Sequence, residues 1–398
     1  MTNLPQGWEV KKLEEIANIK GGKRLPKGEN LLDNNTKFAY IRVADFQDNG
    51  TINLQNIKFI NENTYNVLKN YKIYDDNLYI SIAGTIGKSG IIPKELNGAI
   101  LTENAVKLEY IQNNISNKFM YFFTLSNIFK TQIQTSTKIV AQPKLAITRL
   151  KQIQIPLPPL KEQERIVGIL DESFAKIDES IKILEQNLLN LDELMQSALQ
   201  KAFNPLKDNA KENYKLPQSW EWKSLEEISE NISAGGDKPK NCTESKTAKN
   251  QIPVYANGVN NNGLVGYTDK ATIIKPSLTI SARGTISFVC IRKEPYFPIV
   301  RLISLIPCEN ILCLHYLYFC LNFFIAKGEG SSIPQLTIPK FKSLQIPLPP
   351  LKEQEQIAEH LDFVFEKAKA LKELYTKELK DYEELKQSLL DKAFKGEL

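Results

Sequence analysis

The side chains of this sequence whose types and spacing suggest a chemical function are basic and amide groups on loops. The segment KGGKRLPKGEN (20–30) carries four basic residues beside three glycines, and ANGVNNNG (256–263) carries a run of asparagines. Lysine and arginine neutralise phosphates, whereas arginine, asparagine and glutamine present paired donors and acceptors that match base edges in the major groove. The pattern indicates a surface that binds DNA.

The predicted DNA-binding residues occur in both halves of the chain, in loops between predicted elements. In the first half they are Lys20, Lys23, Arg24, Lys27, Arg42, Gln47, Lys88, Lys138, Gln142 and Lys144. In the second half they are Lys238, Lys240, Asn257, Asn260, Asn261, Asn262, Arg283, Arg292, Lys293, Arg301 and Gln335. Any single one of them could belong to an ordinary polar turn, so the prediction rests on their aggregate.

Residues suited to catalysis or metal binding are scarce. The sequence has two histidines, His315 and His360, and five cysteines without a CxxC pair. These counts argue against a Ser-His-Asp triad, a structural zinc site and a disulfide framework. The segment GTIGKS (84–89) has two residues rather than four between its glycines, which favours a turn over a P-loop. No catalytic or metal site is predicted, and two alternatives stay open: a DNA-modifying enzyme with an unrecognised active site, and a non-catalytic coiled-coil scaffold.

An internal repeat organises the elements that must position these residues. Each half consists of a globular segment, a proline run and a long charged segment. The repeated pairs are IPLPPLKEQE at 155–164 and 346–355, QSALQKAF (196–203) and QSLLDKAF (387–394), and LPQGWEVKKLEEIA (4–17) and LPQSWEWKSLEEIS (216–229).

The segments after the proline runs, 161–203 and 352–394, predict long helices. Apolar residues in the first recur at alternating steps of three and four from Leu170 to Ala202, which is the seam of a coiled coil. The simplest solution packs the two helices on each other, and a homodimeric coiled coil is the alternative. The proline run favours a stiff connector that begins the helix over a polyproline ligand for a partner.

The globular segments are predicted to be β-rich, so the expected fold class is α+β. Stretches such as LYISIAG (78–84) combine β-branched and aromatic residues between turn signals, while 117–133 and 311–326 each predict one buried helix. The two long helical segments carry 5 basic against 9 acidic and 8 basic against 11 acidic residues, although the whole chain has a net charge of +5. The basic charge therefore lies in the globular segments, as expected if they face phosphate.

With these features the chain resembles the DNA-specificity subunit of type I restriction–modification enzymes. The resemblance is carried by LPQGWE and LPQSWE, YIRVADFQDNG (40–50), GEGSSIPQL (328–336) and the duplicated IPLPPLKEQE; TKIVAQPKL (137–145) stands where the second copy has GSSIPQL. It implies two β-rich target recognition domains joined by two long helices packed as an antiparallel coiled coil, with pseudo-twofold symmetry. The expected boundaries are 1–150 and 211–343 for the recognition domains, and 151–210 and 344–398 for the connectors with their helices.

The resemblance also implies a function without an active site in this chain. Such a subunit reads a bipartite DNA target, its paired helices set the gap, and it directs partners that methylate adenine and cleave DNA. The expected partners are double-stranded DNA, two methyltransferase subunits and restriction/translocase subunits; S-adenosylmethionine, ATP and Mg are expected on those partners. The expected partner-subunit contacts are Glu162, Gln163, Glu164, Glu353, Gln354 and Glu355. No signal peptide or membrane span is visible, so the expected location is cytoplasmic.

Overall fold

The computed structural model describes residues 4–136, 144–207, 219–282, 288–325 and 336–398. The chain divides into two units: unit 1 is Met1–Leu184 with Lys377–Leu398, and unit 2 is Glu185–Thr376. Each unit combines one globular segment with a part of both long helices.

Before the first long helix, the described residues of unit 1 form ten strands and five short α-helices. They are β1 (Glu9–Lys12), α1 (Leu13–Ile16), β2 (Ala17–Gly21), β3 (Ala39–Ile41), β4 (Lys58–Phe59), α2 (Glu62–Val67), β5 (Lys72–Ile73), β6 (Leu78–Ser81), β7 (Ser89–Ile91), β8 (Ala99–Leu101), β9 (Ala105–Tyr110), α3 (Asn117–Leu125), α4 (Asn127–Ser136), α5 (Ile147–Lys151) and β10 (Gln154–Leu157). The long helix α6 (Leu160–Lys207) follows.

Two four-stranded sheets form the body of unit 1, in the orders β2-β9-β6-β7 and β4-β3-β8-β5. Strand β6 is buried throughout and contributes to two cores because its side chains alternate between faces. Leu78 and Ile80 pack with α3, whereas Tyr79 packs with Phe46 in the core of the other sheet. A separate antiparallel pair, β1 with β10, sets Glu9 opposite Leu157.

Unit 2 repeats this plan with fewer strands. Its elements are β11 (Glu221–Ser224), α7 (Leu225–Ile228), β12 (Ser229–Ala234), β13 (Ile252–Tyr255), β14 (Leu264–Thr268), β15 (Ser277–Ile280), β16 (Val289–Arg292), β17 (Phe297–Pro298), β18 (Ile303–Pro307), α8 (Leu314–Phe324), α9 (Ile338–Lys342), β19 (Gln345–Leu348) and the long helix α10 (Leu351–Ala393). The sheets have the orders β12-β18-β15-β16 and β14-β13-β17. Strand β11 pairs with β19, just as β1 pairs with β10.

The long helices confirm the predicted seam. In unit 1, Leu170, Ile177 and Leu184 recur every seven residues and are all buried. The helices run antiparallel there, because Arg165 donates to the carbonyl of Leu398 and Asp178, farther along α6, pairs with Lys386. Unit 2 has its own pairing of the two helices, in which Lys372 meets Asp192. The predicted α+β fold class, with β-rich globular segments and antiparallel long helices, is therefore confirmed.

One predicted element differs. The segment 117–133 forms two helices, α3 and α4, rather than one. The break is at Ser126, whose hydroxyl donates to the carbonyl of Phe123 and accepts the backbone N–H of Phe129. A hydroxyl in this position caps the second helix and stops the first. Within the described ranges, no helix has both the length and the apolarity needed to cross a membrane.

Candidate nucleic-acid interface

In unit 1, four chain segments meet at the ends of the sheet strands and form what we call the first loop cluster: residues 21–24, 82–83, 102–104 and 144–145. The backbone N–H of Gly22 donates to the carbonyl of Ala105 (3.0 Å), and that of Ile82 donates to the carbonyl of Asn104 (2.8 Å). The N–H of Leu145 donates in turn to the carbonyl of Ile82 (2.9 Å). Backbone bonds thus fix the relative positions of these loops whatever side chains they carry.

Unit 2 builds an equivalent second loop cluster from residues 235–240, 256–263, 281–282 and 299–301. The N–H of Gly235 donates to the carbonyl of Leu302 (2.8 Å), and that of Leu336 donates to the carbonyl of Ala282 (3.3 Å). The side chain of Asn257 ties the cluster together, since its Oδ1 accepts the N–H of Ala282 at 2.8 Å. The same scaffold therefore carries two different sets of side chains.

Glycine is required where the first loop of each cluster leaves its strand. A Cβ on Gly22 would lie 2.1 Å from the carbonyl oxygen of Thr102, and one on Gly235 would lie 2.5 Å from the carbonyl carbon of Pro298. Such distances are shorter than any real Cβ contact, so only glycine permits this close backbone approach. Neither glycine was among the site residues predicted from the sequence. The glycine doublets in KGGK and AGGD were the signal that could have identified them.

The first loop cluster presents basic side chains and one carboxylate. Lys23, Arg24 and Lys144 are exposed, and Arg24 Nε donates to Glu103 Oε1 at 2.9 Å. Burial alone would raise the pKa of Glu103, but hydrogen bonds from Arg24, its own backbone N–H and Thr102 outweigh burial and hold that pKa below its usual range. Glu103 therefore stays ionised and neutralises Arg24. This carboxylate was not among the predicted site residues.

The other predicted residues of unit 1 are placed differently. Lys27 is exposed on the same loop as Lys23, whereas Lys20 pairs with Glu109 at 2.5 Å. Lys88 pairs with Asp48 at 2.8 Å across two adjacent turns, beside Gln47. These positions do not belong to the first loop cluster.

Arg42 has an internal role in unit 1. Its guanidinium pairs with Asp45, which is 1% exposed, and donates to the carbonyl of Asn56. The hydrogen bond to Asp45 is the main reason that the pKa of Arg42 is raised. The guanidinium of Arg42 is therefore used within its domain, where the buried carboxylate of Asp45 would otherwise have no charged partner.

The second loop cluster exposes most of the residues predicted for it. Those exposed are Lys238, Lys240, Asn260, Asn261, Asn262 and Arg301; Lys293 is exposed nearby. Arg292 is 8% exposed: its guanidinium lies 3.6 Å from the ring centre of Tyr255 and donates to Thr279 Oγ1 and to the carbonyl of Asn262. Arg292 therefore supports the asparagine turn from below. The predicted residues Lys138, Gln142, Arg283 and Gln335 lie outside the described residues.

The residues predicted to contact partner subunits divide into two kinds. Glu164 and Glu355 are exposed, Glu162 pairs with Arg165, and Glu353 accepts the indole N–H of Trp220. The two glutamines between them, Gln163 and Gln354, are 1% and 0% exposed. Both side chains lie inside the fold, whereas the sequence predicted that they would contact a partner subunit.

Gln163 joins the start of α6 to the start of α3. Its amide donates to the carbonyls of Asn114 (3.1 Å) and Pro158 (2.9 Å), and its Oε1 accepts the N–H of Ser116 (2.8 Å). Gln354 makes the same set in unit 2, with the carbonyls of Ile311 and Pro349 and the N–H of Cys313. Both amide hydrogens are used in each case, so these glutamines fix how the globular segment meets its long helix.

Replacing Gln354 by alanine should lower the free energy of unfolding by about 1–3 kcal/mol, because buried backbone groups lose their partner. Thermal unfolding of the full chain measures the change. Gln356→Ala, two residues later on the same helix and exposed, is the matched control and should stay within about 0.5 kcal/mol of the unmodified chain. Equal, small effects of both substitutions would contradict the structural role of Gln354.

Comparison with known proteins gives a consistent result. The family described as "Type I restriction modification DNA specificity domain" matches residues 5–189 and 217–380. A type I specificity subunit of Mycoplasma pneumoniae is 29% identical over 357 residues, which is 88% of this chain and 87% of that protein. The specificity subunit of the Escherichia coli type I restriction enzyme EcoBI is 29% identical over 205 residues, which is 50% of this chain and 42% of that protein.

Two solved structures share the fold. A chain from a study of complex assembly and conformational transition of the type I R-M system matches with a TM-score of 0.82 and 20% identity, covering 100% of both chains. The HsdS subunit from Thermoanaerobacter tengcongensis matches with a TM-score of 0.62 and 20% identity, covering 100% of this chain and 98% of that one. At this level of identity the likeness is one of fold.

Proposed function

Because the chain belongs to the family of type I restriction–modification DNA specificity domains, we propose that each of its loop clusters reads one half of a split DNA sequence. Its role in a restriction–modification complex is to supply DNA sequence specificity. Under this proposal the two loop clusters are the surfaces that recognise the DNA bases.

The observation that carries the proposal is the duplication of one loop scaffold with different side chains. Gly22 and Gly235 begin equivalent loops, held by equivalent backbone bonds to Ala105 and Leu302. The first cluster then presents Lys23 with the Arg24–Glu103 pair, whereas the second presents a run of three exposed asparagines and Arg301. Equivalent scaffolds with different polar side chains are what two readers of different base sequences require.

The selection of DNA sequences tests the proposal directly. The full chain is mixed with duplexes that contain a randomised segment, and bound duplexes are recovered and sequenced. Enrichment of two short fixed sequences separated by a gap of unconstrained bases is expected. Enrichment of one uninterrupted sequence, or of none, would contradict reading in two halves.

Lys23 is expected to contact a phosphate rather than a base, since it is an exposed lysine on a loop and lysine is a compact point charge. Lys23→Glu should weaken binding to all sequences by a similar factor. It should also make the slope of log affinity against log salt shallower, by about 0.9 for each phosphate that the variant no longer neutralises. A salt titration of affinity measures both effects.

Lys94→Glu is the matched control, because Lys94 is an exposed lysine of unit 1 outside the first loop cluster. It should leave the salt slope unchanged. If Lys23→Glu also leaves the slope unchanged, or if it changes the preferred bases, then Lys23 does not bind a phosphate.

We further propose that this chain does not catalyse a reaction and that its partners do. The family name supports a specificity role, and the residues of both loop clusters suit recognition: amides, lysines, arginines and glycines. The methylation of adenine with S-adenosylmethionine would then belong to two methyltransferase subunits, and ATP- and Mg-dependent cleavage to restriction/translocase subunits. Incubating the purified chain with DNA and S-adenosylmethionine should produce no methylated base until methyltransferase subunits are added.

The exposed carboxylates at the starts of the long helices are the residues we propose for contact with those partners. Glu164 in unit 1 and Glu355 in unit 2 follow the buried glutamines directly and face solvent. Their equivalent positions in the repeat suit two copies of one partner, each of which binds one unit. Neither Glu164 nor Glu355 belongs to the loop cluster of its own unit, so contact with a partner would use residues other than those proposed to read DNA.

A further inference from the structure

The turn Ile299–Leu302 in the second loop cluster has an uncommon backbone. Val300 and Arg301 both have positive φ, at 54° and 59°, and the N–H of Leu302 donates to the carbonyl of Ile299 at 3.0 Å. Two consecutive positive φ angles across such a bond define a type I′ turn, whose central positions normally hold asparagine and glycine. A β-branched valine in this conformation is an outlier.

Three neighbouring groups hold this turn in place. The N–H of Val300 donates to the carbonyl of Gly236, and the N–H of Arg301 to that of Gly235, both at 2.8 Å. The side chain of Asn257 donates to the carbonyl of Val300. The backbone groups at the tip are thus used internally. Backbone strain of this kind persists when its surroundings over-determine it, and it concentrates at functional sites.

The two side chains at the tip of the turn face outward. Val300 is 51% exposed, and Arg301 is exposed as well. In the part of the chain that the structure describes, no carboxylate pairs with Arg301. An unpaired guanidinium beside an exposed aliphatic side chain can recognise two kinds of base edge in the major groove of DNA. Arginine donates two bonds to the O6 and N7 of guanine, and an apolar group packs on the methyl group of thymine.

The equivalent turn of unit 1 has different chemistry. Thr102 accepts the N–H of Ala105 there, as Ile299 accepts that of Leu302, but the central residues are Glu103 and Asn104. Neither of these two residues is among the described non-glycine residues with positive φ, and Glu103 is bonded to Arg24. The scaffold therefore tolerates an ordinary turn at this place, so the left-handed turn of unit 2 is not a requirement of the fold.

We propose that Val300 and Arg301 determine the base sequence of the half-site read by unit 2: Arg301 selects a guanine, and Val300 selects an adjacent thymine by contact with its methyl group. This inference rests on the proposed function and assigns the reading to two residues of one turn. The strained backbone places both exposed side chains at the tip of the turn, while backbone hydrogen bonds to the carbonyls of Gly235 and Gly236 hold the turn in position.

Sequence selection with the full chain tests the inference with three variants. Arg301→Ala should reduce discrimination at one G·C position by about 10- to 100-fold and leave every position of the other half-site unchanged. Arg301→Lys should lose the same discrimination, because an ammonium cannot make the planar two-bond contact, yet keep the overall affinity. Val300→Gly should relax one neighbouring A·T position.

Val300→Gly also separates reading from folding. Glycine adopts positive φ readily, so this variant should unfold at the same or a higher temperature than the unmodified chain even as it loses discrimination. Lys270→Ala, an exposed lysine of unit 2 outside the turn, is the matched control and should change no position.

The outcomes are distinguishable. If the unmodified chain enriches a split sequence and Arg301→Ala weakens all sequences equally, Arg301 contacts a phosphate and the inference is overturned while the proposed function stands. If Val300→Gly raises the unfolding temperature and keeps every base preference, the side chain of Val300 reads nothing and its assignment is overturned. If the unmodified chain enriches no sequence, the proposed function itself fails.

Discussion

Exchange of residues 4–158 for the same region of another family member should replace one half of the preferred DNA sequence and leave the other half unchanged. The physical reason is that the first loop cluster is assembled entirely from segments within that region, through bonds such as Gly22 to Ala105 and Leu145 to Ile82. The second loop cluster lies entirely within residues 219–349, so its half of the preferred sequence should not change. Selection from randomised duplexes with the exchanged chain measures both halves in one experiment.

The structure determines where the junction of such an exchange should lie. Strand β10 ends at Leu157 and pairs with β1, so a junction at residue 150 would separate the two strands, whereas one after Pro158 keeps them together. Gln163 lies outside the exchanged region, but its partners inside that region are the backbone atoms of Asn114, Ser116 and Pro158. The bonds of Gln163 therefore do not depend on the side chains of a foreign domain. That domain must, however, keep aromatic residues at the positions of Phe119 and Phe123, which pack on Phe394 of the retained chain.

The reciprocal exchange of residues 219–349 is the control. It should change the other half of the preferred sequence and nothing else. If either exchange alters both halves together, the two clusters do not read independently. An exchanged chain that keeps both original halves would place base recognition outside the globular segments.

The sequence predicted those parts of the fold that depend on repeated local patterns. The duplicated IPLPPLKEQE and the heptad spacing from Leu170 onward predicted two similar units and two long helices that each bury an apolar stripe. The antiparallel pairing of those helices was implied by the resemblance to type I specificity subunits, since the heptad spacing alone also fits a homodimeric coiled coil. Glycine-rich and asparagine-rich loops likewise indicated where polar side chains would be presented. These features are local, so they can be seen without knowledge of tertiary contacts.

The functions of individual charged and amide residues were harder to predict, because they depend on partners distant in sequence. Arg42 looks like a DNA contact until Asp45 and the carbonyl of Asn56 are found around it. Arg292 likewise supports Asn262 from a buried position. Sequence alone cannot separate a basic residue that faces solvent from one that is satisfied inside its domain.

The same limit applies to the repeated LKEQE motif. Repetition marks these residues as important, but a repeated residue can serve the fold or a partner equally well. Gln163 and Gln354 serve the fold, since each satisfies three backbone groups at the junction between a globular segment and its helix. The two positive φ angles at Val300 and Arg301 had no sequence signal either, because neither residue type predicts a left-handed turn.

Replacing Phe394 by alanine should destabilise unit 1 by about 3–5 kcal/mol, the usual range for removal of a fully buried phenylalanine side chain. Phe394 directly follows α10 and is 1% exposed. Its ring centre lies 5.1 Å from that of Phe119 and 5.5 Å from that of Phe123. The substitution removes the aromatic contacts and leaves a cavity where the end of α10 meets α3. Thermal unfolding measures the destabilisation, and amide hydrogen exchange locates it.

Phe203 occupies the equivalent position in unit 2, at the end of the repeated KAF segment. It is 0% exposed and packs on Tyr316 and Phe323, with ring centres 5.7 and 5.5 Å away. Phe203→Ala should therefore produce a destabilisation of similar size. The largest increase in amide exchange rate should, however, appear in α8 rather than in α3. The pair of variants compares the two units with a single chemical change in each.

Phe363→Ala is the matched control, since Phe363 lies on α10 but is 60% exposed. It should change the free energy of unfolding by no more than about 0.5 kcal/mol. If Phe394→Ala behaves like this control, the aromatic cluster at the end of α10 does not stabilise unit 1. A different outcome would be that Phe394→Ala and Phe203→Ala accelerate amide exchange in α3 to the same extent. The effect of Phe203 would then not be confined to unit 2, and the assignment of one aromatic cluster to each unit would be wrong.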